Sequence, residues 1–287
     1  MKKALALLLC GVMSMALLTG CGSDGAAETN TDAAETTDNA AESEAEESEA
    51  ASGERTTFTV GFDAEYPPYG YMDDNGEYTG FDLELAQAVC ELEGWELVKT
   101  PIAWDSKDME LNSGSIDCIW NGFTINGRED DYTWSDPYCD NSQVIVVAEN
   151  SGITTLADLA GKTVGVQADS AALEVLSDEE QQKALADTFG TLQQFADYNS
   201  AFTELLAGSL DAIAIDIGVA NYQIESRGEG YVILEEKLNS EQYGIGFKLG
   251  NEELRDIVNA DIRKLTEDGT VAELAEKYGI TDLICLE

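Results

Sequence analysis

The chain has 287 residues, with 57 acidic and 15 basic side chains, no histidine and a formal net charge of −42 at pH 7. A surface this acidic excludes nucleic acid as a partner, because that affinity depends on clustered lysine and arginine. The absence of histidine removes the commonest general base and zinc ligand, so we expect no metal and no cofactor.

The N-terminus has the features of an export signal. Two lysines precede an apolar stretch over 4–18, which is too short to span a bilayer comfortably and ends in small residues. We interpret residues 1–20 as a signal peptide. The Leu-Thr-Gly-Cys sequence that ends at Cys21 resembles a bacterial lipobox, which implies that Cys21 carries lipid. The alternative is an ordinary signal peptide followed by a chance cysteine.

An acidic tail follows the cysteine. Residues 22–54 include eleven acidic residues, no basic residue and no aromatic residue. Such a segment buries too little apolar surface to offset its chain entropy, and its charges repel each other. The sequence therefore predicts a disordered tether over 21–55, which would keep the folded part at the outer face of a bacterial cytoplasmic membrane.

From residue 56 onward, predicted strands and helices alternate. Strands are predicted at Phe58–Phe62, Glu96–Lys99, Ser115–Trp120, Gln143–Ala148, Thr163–Gln167, Ala212–Ile215, Val232–Leu234 and Tyr243–Phe247. Helices are predicted after an Asp82 N-cap, at Asp105–Asn112, from Ser170, and at Phe202–Leu206, Ile217–Glu225, Glu252–Glu267 and Val271–Tyr278. This alternation is typical of α/β lobes around parallel sheets, and the pattern restarts after Ala148, which favours a second lobe.

A series of short motifs occurs in one order, and the resemblance that these motifs carry extends from about Thr57 to Tyr278. Its members are Val60–Tyr69, Gly80–Asp82, Trp104–Asp105, Ser113–Gly114 with Asp117, Gly122–Ile125, Ser135–Tyr138 and Leu159–Gln167. The series resembles the amino-acid-binding family of ABC-importer solute-binding proteins. This resemblance implies the type 2 periplasmic-binding-protein fold, with two α/β lobes joined by two crossover strands and closing on a ligand. Lobe 1 would comprise 56–142 and 238–287, and lobe 2 would comprise 143–237.

The resemblance assigns the ligand's carboxylate to Arg128, supported by Thr124, Gly122 and Ser170. Arginine suits this role because its planar fork binds both carboxylate oxygens. A surface arginine beside three acidic residues is the alternative. The chain departs from the family pattern in two places: the step from Thr124 to Arg128 is one residue short, and 169–171 read Asp-Ser-Ala where the family often has Gly-Thr-Thr.

By the same resemblance, Asp216 and the backbone of Asn121 would hold the ligand's ammonium. Asp216 could equally act as the N-cap of the helix that follows it. Tyr66 and Trp104 match the aromatic walls of the cleft, and Asp63 matches a position that reads the end of the ligand's side chain. Because a carboxylate accepts hydrogen bonds but donates none, Asp63 favours glutamine, arginine, lysine or a similar ligand.

The remaining partners and alternatives follow from this interpretation. We expect a monomer that docks on an ABC permease and is not an enzyme. An enzyme on the same fold, such as a dehydratase with Asp63 or Asp169 as general acid, is one alternative, and a ligand-sensing module is another.

The folded part contains four cysteines, which allow three disulfide pairings, and the sequence does not select one of them. The four are Cys90, Cys118, Cys139 and Cys285. Cys118 lies in an apolar stretch, so we expect it to be a buried free thiol.

Overall fold

A computed structural model describes residues 55–286 of the protein. The predicted signal peptide, the lipidation at Cys21 and all but the last residue of the tether lie outside these residues. Within the described part, no helix is both long and apolar enough to cross a membrane. That part also contains no group of three or more Cys, Asp or Glu side chains arranged to hold a metal ion.

The strands and helices follow the predicted alternation. The strands are β1 Thr57–Phe62, β2 Glu65–Tyr66, β3 Gly70–Met72, β4 Tyr78–Thr79, β5 Glu96–Pro101, β6 Cys118–Thr124, β7 Thr133–Trp134, β8 Cys139–Asn141, β9 Gln143–Ala148, β10 Thr163–Gln167, β11 Thr191–Phe195, β12 Ala212–Asp216, β13 Tyr231–Ile233 and β14 Glu241–Phe247. The helices are α1 Phe81–Glu93, α2 Lys107–Ser113, α3 Ala171–Ser177, α4 Lys183–Ala186, α5 Tyr198–Ala207, α6 Ile217–Arg227, α7 Glu252–Glu267 and α8 Thr270–Lys277. Short 3-10 turns occupy Trp104–Ser106, Leu156–Leu159 and Thr281–Leu283.

The first lobe is built on a mixed sheet with the order β5-β1-β6-β14-β7, and β8 pairs with β14. Strands β5, β1 and β6 are parallel, whereas β14 runs antiparallel to β6. Helices α1, α7 and α8 contact one another beside this sheet. The buried apolar strand residues and the alternating helical pattern together produce this α/β layer.

The second lobe is also built on a mixed sheet, with the strand order β11-β10-β12-β9-β13. Strands β11, β10 and β12 are parallel, and β9 is antiparallel to β12. The chain enters this sheet directly after β8 and returns to the first sheet between β13 and β14. The structure thus confirms the predicted α/β fold of two lobes, and we retain 143–237 as the proposed extent of the second lobe.

Asp82 is not the N-cap of helix α1, so that prediction is wrong. The helix begins at Phe81 after Gly80, and the Asp82 side chain is fully buried. Its carboxylate accepts the backbone N–H of Gly122 at 2.6 Å and the hydroxyl of Tyr138 at 2.9 Å. Burial raises the pKa of Asp82 to about 7. The Asp82 carboxylate therefore pairs with donors that are distant in the sequence and does not cap the helix.

The four cysteines of the described part are free thiols. Cys118 is fully buried on β6, as predicted, and Cys90 and Cys139 are buried as well. Burial raises the pKa of the Cys90 thiol to about 12, so this thiol stays protonated at neutral pH.

Gly80 provides a test of how closely the chain packs before α1. It lies at φ 133°, and a Cβ added there would sit 2.2 Å from the carbonyl oxygen of Tyr69. We predict that Gly80→Ala lowers the free energy of unfolding by about 3 kcal/mol or more, because backbone atoms must move. Urea denaturation followed by circular dichroism measures this loss.

The matched control is Gly76→Ala. Gly76 also has a positive φ, 83°, but a Cβ there meets nothing within 4 Å. The conformational cost alone should remove about 1 kcal/mol. Equal losses for the two variants would contradict the steric argument.

Candidate functional site

A small cavity lies between the two lobes and is lined by residues from both. Eight of the nine ligand residues predicted from the sequence line it: Tyr66, Trp104, Asn121, Gly122, Thr124 and Arg128 from the first lobe, and Ser170 and Asp216 from the second. The structure adds Gln167 and Ala171 to the lining and leaves Asp63 outside it.

Arg128 reaches the cavity although the loop before it is one residue short. Strand β6 ends at Thr124, and the N–H of Arg128 donates to the carbonyl of Ile125 at 2.9 Å. Gly127 completes the turn with φ 85°, a left-handed conformation that glycine adopts at low cost. The short step is therefore compatible with a buried Arg128.

The guanidinium of Arg128 joins the two lobes. Its Nε and Nη2 donate to one carboxylate oxygen of Glu174, on α3 of the second lobe, at 3.1 and 2.8 Å. Its Nη1 donates to the carbonyl of Thr124 at 3.3 Å, and its central carbon lies 5.1 Å from the ring centroid of Phe123. A guanidinium has five N–H donors, so these three bonds leave one on each terminal nitrogen.

Asp216 is an almost completely buried carboxylate on the opposite side of the cavity, at the end of β12. It accepts hydrogen bonds from the side chains of Asn141 at 2.6 Å, Gln143 at 2.7 Å and Tyr243 at 2.6 Å. Although Asp216 precedes helix α6, its side chain makes no capping bond. Burial raises the pKa of Asp216 to about 6, and the charge of Glu241 adds to this shift.

Two aromatic rings form walls of the cavity. Tyr66 and Trp104 are nearly parallel, with 3° between their planes and 6.5 Å between ring centroids. This separation is close to twice the contact distance of roughly 3.5 Å between carbon atoms. The indole N–H of Trp104 donates to the carbonyl of Asp169 at 3.1 Å, which ties this wall to the second lobe.

Asp63 lies beside the cavity rather than in its lining. Its carboxylate accepts the Gln167 side-chain amide at 2.7 Å and the N–H of Glu65 at 2.9 Å. Burial raises the pKa of Asp63 to about 6. It lines a second cavity, which shares Trp104 with the first and also has Glu65, Asp105 and Asp197 in its walls.

Asp169, which the dehydratase alternative offered as a general acid, is paired with Lys107. The two side chains form an ion pair across the cleft, and Lys107 is only 2% exposed. Asp169 is also the non-glycine residue of the described part with a positive φ, 57°. Its position in the sequence is one where glycine would adopt this conformation more easily.

The remaining predicted residues are held by contacts that the sequence does not reveal. Asn121 accepts the N–H of Asp63 through its side-chain oxygen at 3.0 Å, and Asp82 holds the N–H of Gly122. Ser170 caps helix α3 by accepting the N–H of Leu173 at 3.2 Å, as its place before that helix predicts.

Sequence reasoning missed Gln167, Lys107 and Glu174. Gln167 had a usable signal, because it ends a parallel strand, and ligands of open α/β sheets bind beyond the carboxyl ends of the strands. Glu174 lies four residues after Ser170 on the same face of α3, which also points toward the cleft. Lys107 had no signal, because only the closed fold brings it to Asp169.

This geometry defines a two-lobed solute-binding protein, and comparisons with known proteins agree. The sequence profile of the bacterial extracellular solute-binding proteins, family 3, matches residues 58–281. The chain therefore belongs to this family, as its ordered motifs predicted.

Three similar proteins are named for binding amino acids or taking up solutes. L-cystine-binding protein TcyJ of Escherichia coli K12 is 32% identical over 228 residues, which cover 78% of this chain and 83% of that protein. A substrate-binding protein of an ABC uptake transporter from Streptococcus pneumoniae, solved with bound histidine, is 34% identical, covers 77% and 92% of the two chains, and gives a TM-score of 0.74. An ancestral arginine-binding protein bound to arginine is 35% identical, with coverage of 79% and 99% and a TM-score of 0.72.

Proposed function

We propose that this protein is the substrate-binding component of an ABC amino-acid importer and that it holds a free amino acid with a polar or basic side chain. One observation carries the proposal: Arg128 and Asp216 approach the same cavity from opposite lobes. A free amino acid offers one carboxylate and one ammonium, and each charge costs several kcal/mol to bury unless it is paired.

In the proposed complex, the two remaining terminal N–H donors of Arg128 take the carboxylate. Thr124 and Ser170 line the cavity beside it, although their hydroxyls donate to Glu241 and to the carbonyl of Gln167 in this structure. Asp216 and the carbonyl of Asn121 take the ammonium. Because the partners belong to different lobes, a ligand bridges the lobes and favours the closed state over an open one.

We propose that the side chain extends between Tyr66 and Trp104 toward Asp63. A flat or elongated group, such as a guanidinium or an amide, fits between parallel rings, and a guanidinium gains cation–π attraction there. Asp63 and the acidic walls of the second cavity favour a side chain that donates hydrogen bonds or carries positive charge. Glutamine, arginine and lysine meet this requirement.

We propose binding without catalysis. The buried carboxylates of Asp63 and Asp216 accept two and three side-chain or backbone donors respectively, an arrangement suited to fixed recognition. The similar proteins are binding proteins, which supports this reading at the level of the family.

A thermal-shift screen against the twenty amino acids, ornithine and cystine tests the proposal. We expect a basic or amide-bearing amino acid to give the largest rise in melting temperature. Calorimetry with the best responder should then show that Arg128→Ala loses at least about a hundredfold in affinity, because the buried carboxylate loses its charged partner.

The matched control for this loss is Arg263→Ala. Arg263 is an exposed arginine whose partner is the exposed Asp136. This variant should bind like the wild type. No stabilisation by any compound in the screen, or normal binding by Arg128→Ala, would overturn the assignment.

The role of Asp63 is tested by substitution. Asp63→Asn should weaken binding of arginine and lysine by about tenfold or more relative to glutamine, because an amide attracts a cationic side chain less than a carboxylate does. Asp74→Asn, an exposed change in the β3–β4 hairpin, serves as control. An unchanged ranking of the three ligands would remove Asp63 from the specificity role.

We further propose a lipid anchor at Cys21 on the outer face of the bacterial cytoplasmic membrane, with the protein acting as a monomer. Two acyl chains on the cysteine would suffice for stable anchoring. Cys21→Ser should move the protein from the membrane fraction into the soluble fraction, as immunoblotting of fractionated cells reports. Retention of the variant in the membrane fraction would contradict the proposal.

A further inference from the structure

A second carboxylate, Glu241, lies against Asp216 where the two crossover segments meet. The side-chain nitrogen of Asn141 donates to Asp216 at 2.6 Å and to Glu241 at 2.7 Å. The side-chain nitrogen of Gln143 does the same, at 2.7 and 2.8 Å. Two amide groups thus bridge two carboxylates. Asn141 and Gln143 lie in the first crossover segment, where β8 leads into β9. Glu241 lies in the return segment, which leads from β13 into β14. The hydrogen bonds between these amides and Glu241 therefore join the two segments.

The hydrogen-bond donors around Asp216 and Glu241 are arranged to stabilise negative charge. Thr124 donates its hydroxyl to Glu241 at 2.8 Å, and Asn239 donates to the other carboxylate oxygen at 2.8 Å. The amide oxygens of Asn141 and Gln143 are buried and have no hydrogen-bond partner within the described part. The side-chain amides of Asn141 and Gln143 therefore donate to the two carboxylates while their own oxygens stay unpaired. Leaving these oxygens buried and unpaired costs free energy, which stronger hydrogen bonds to charged carboxylates offset.

These donors are neutral, so the pair has no cationic partner in the described part of the chain. None of the ion pairs formed there includes Asp216 or Glu241. The titratable groups that face the pair are Tyr66, Tyr69, Tyr198 and Tyr243. The nearby cations are bonded to other groups. Lys237 donates to Ser142, and Arg128 donates to Thr124 and Glu174. Two buried negative charges side by side are stabilised by a neutralising cation or a proton.

We propose that Glu241 is a positioning residue that acts through Asp216: at mildly acidic pH the acid pair holds a proton when no amino acid is bound and releases it when the ligand's ammonium arrives. The inference rests on the proposed function, because the ammonium is that of the amino acid. Binding is then coupled to pH, with higher affinity at neutral than at mildly acidic pH.

The direction of this coupling follows from competition. Burial and the neighbouring charge of Glu241 raise the pKa of Asp216 to about 6. Below that pH a proton occupies the pair and must leave before the ammonium binds. One pH unit below the pKa, this competition weakens binding on the order of tenfold.

Calorimetric titration with L-arginine and L-glutamine at pH 7.5 and 5.0 tests the proposal, since neither amino acid changes its charge over this range. The wild type should bind at least about tenfold more weakly at pH 5.0, because Asp216 and Asp63 both have a pKa of about 6. In Glu241→Gln the like charge is gone, so the decrease should be at least about threefold smaller than that of the wild type. Asp63 titrates similarly in both proteins, so the difference between them reports on Glu241.

The matched control is Glu235→Gln, which removes an exposed carboxylate from the same return segment and should keep the wild-type pH dependence. Asp63→Asn lacks the other acid with a pKa of about 6, so this variant should release about half a proton per bound L-glutamine at pH 6, as measured in two buffers of different ionisation enthalpy. This second measurement does not depend on the folding of Glu241→Gln. A decrease in Glu241→Gln as large as that of the wild type, or no proton release by Asp63→Asn, would overturn the inference.

Unfolding of the protein without ligand separates this inference from the proposed function. An acid whose pKa is raised in the folded state makes the protein more stable as pH falls through that pKa. The melting temperature of Glu241→Gln should therefore rise less than that of the wild type between pH 7.5 and 5.0. If neither amino acid binds but this difference is present, the proposed function fails and the acid pair stands; equal rises would reject the pair.

Discussion

Charges buried between two lobes need partners, and this requirement organises the cleft. Arg128 contacts Glu174 across the interface, and Lys107 contacts Asp169 in the same way. Asp216, in contrast, is surrounded by neutral donors. A low-dielectric cleft makes each of these pairings strong when complete and costly when incomplete. The two lobes are thus complementary to each other and, in our proposal, to a ligand with both signs of charge.

In our proposal, contacts between the lobes also link ligand binding to lobe closure. Polar contacts that join the lobes include the two ion pairs, the Trp104 indole on the Asp169 carbonyl, and the amide of Gln167 on Asp63. Aromatic contacts of Tyr66 with Tyr198 and of Tyr71 with Tyr222 accompany them. Exposed ion pairs contribute little, but those at this interface are partly or fully buried in the closed form. The proposed closure would exchange solvation for a set of specific contacts, and a bound ligand would add to the same set.

Most of the secondary structure and most of the candidate site could be predicted from the sequence. Alternating apolar strands and amphipathic helices, with Gly94 and Gly208 as left-handed helix ends, are local signals. Eight of nine predicted ligand residues line one cavity because the ordered motifs carry the fold with them. Asp82 shows where local reasoning failed. Its side chain is suited to capping a helix, but it accepts a hydrogen bond from the distant backbone N–H of Gly122 instead.

By itself, the sequence determined the two-lobed α/β class, the family and the residue types that face the cleft, because periodicity and motif order are properties of neighbouring residues. Only the tertiary structure decided which charges neutralise which. Lys107 meets Asp169 across 62 positions, and Asn141 joins Glu241 across 100. Such pairs depend on how two sheets and two crossover segments are placed in space, and no spacing along the chain encodes that placement.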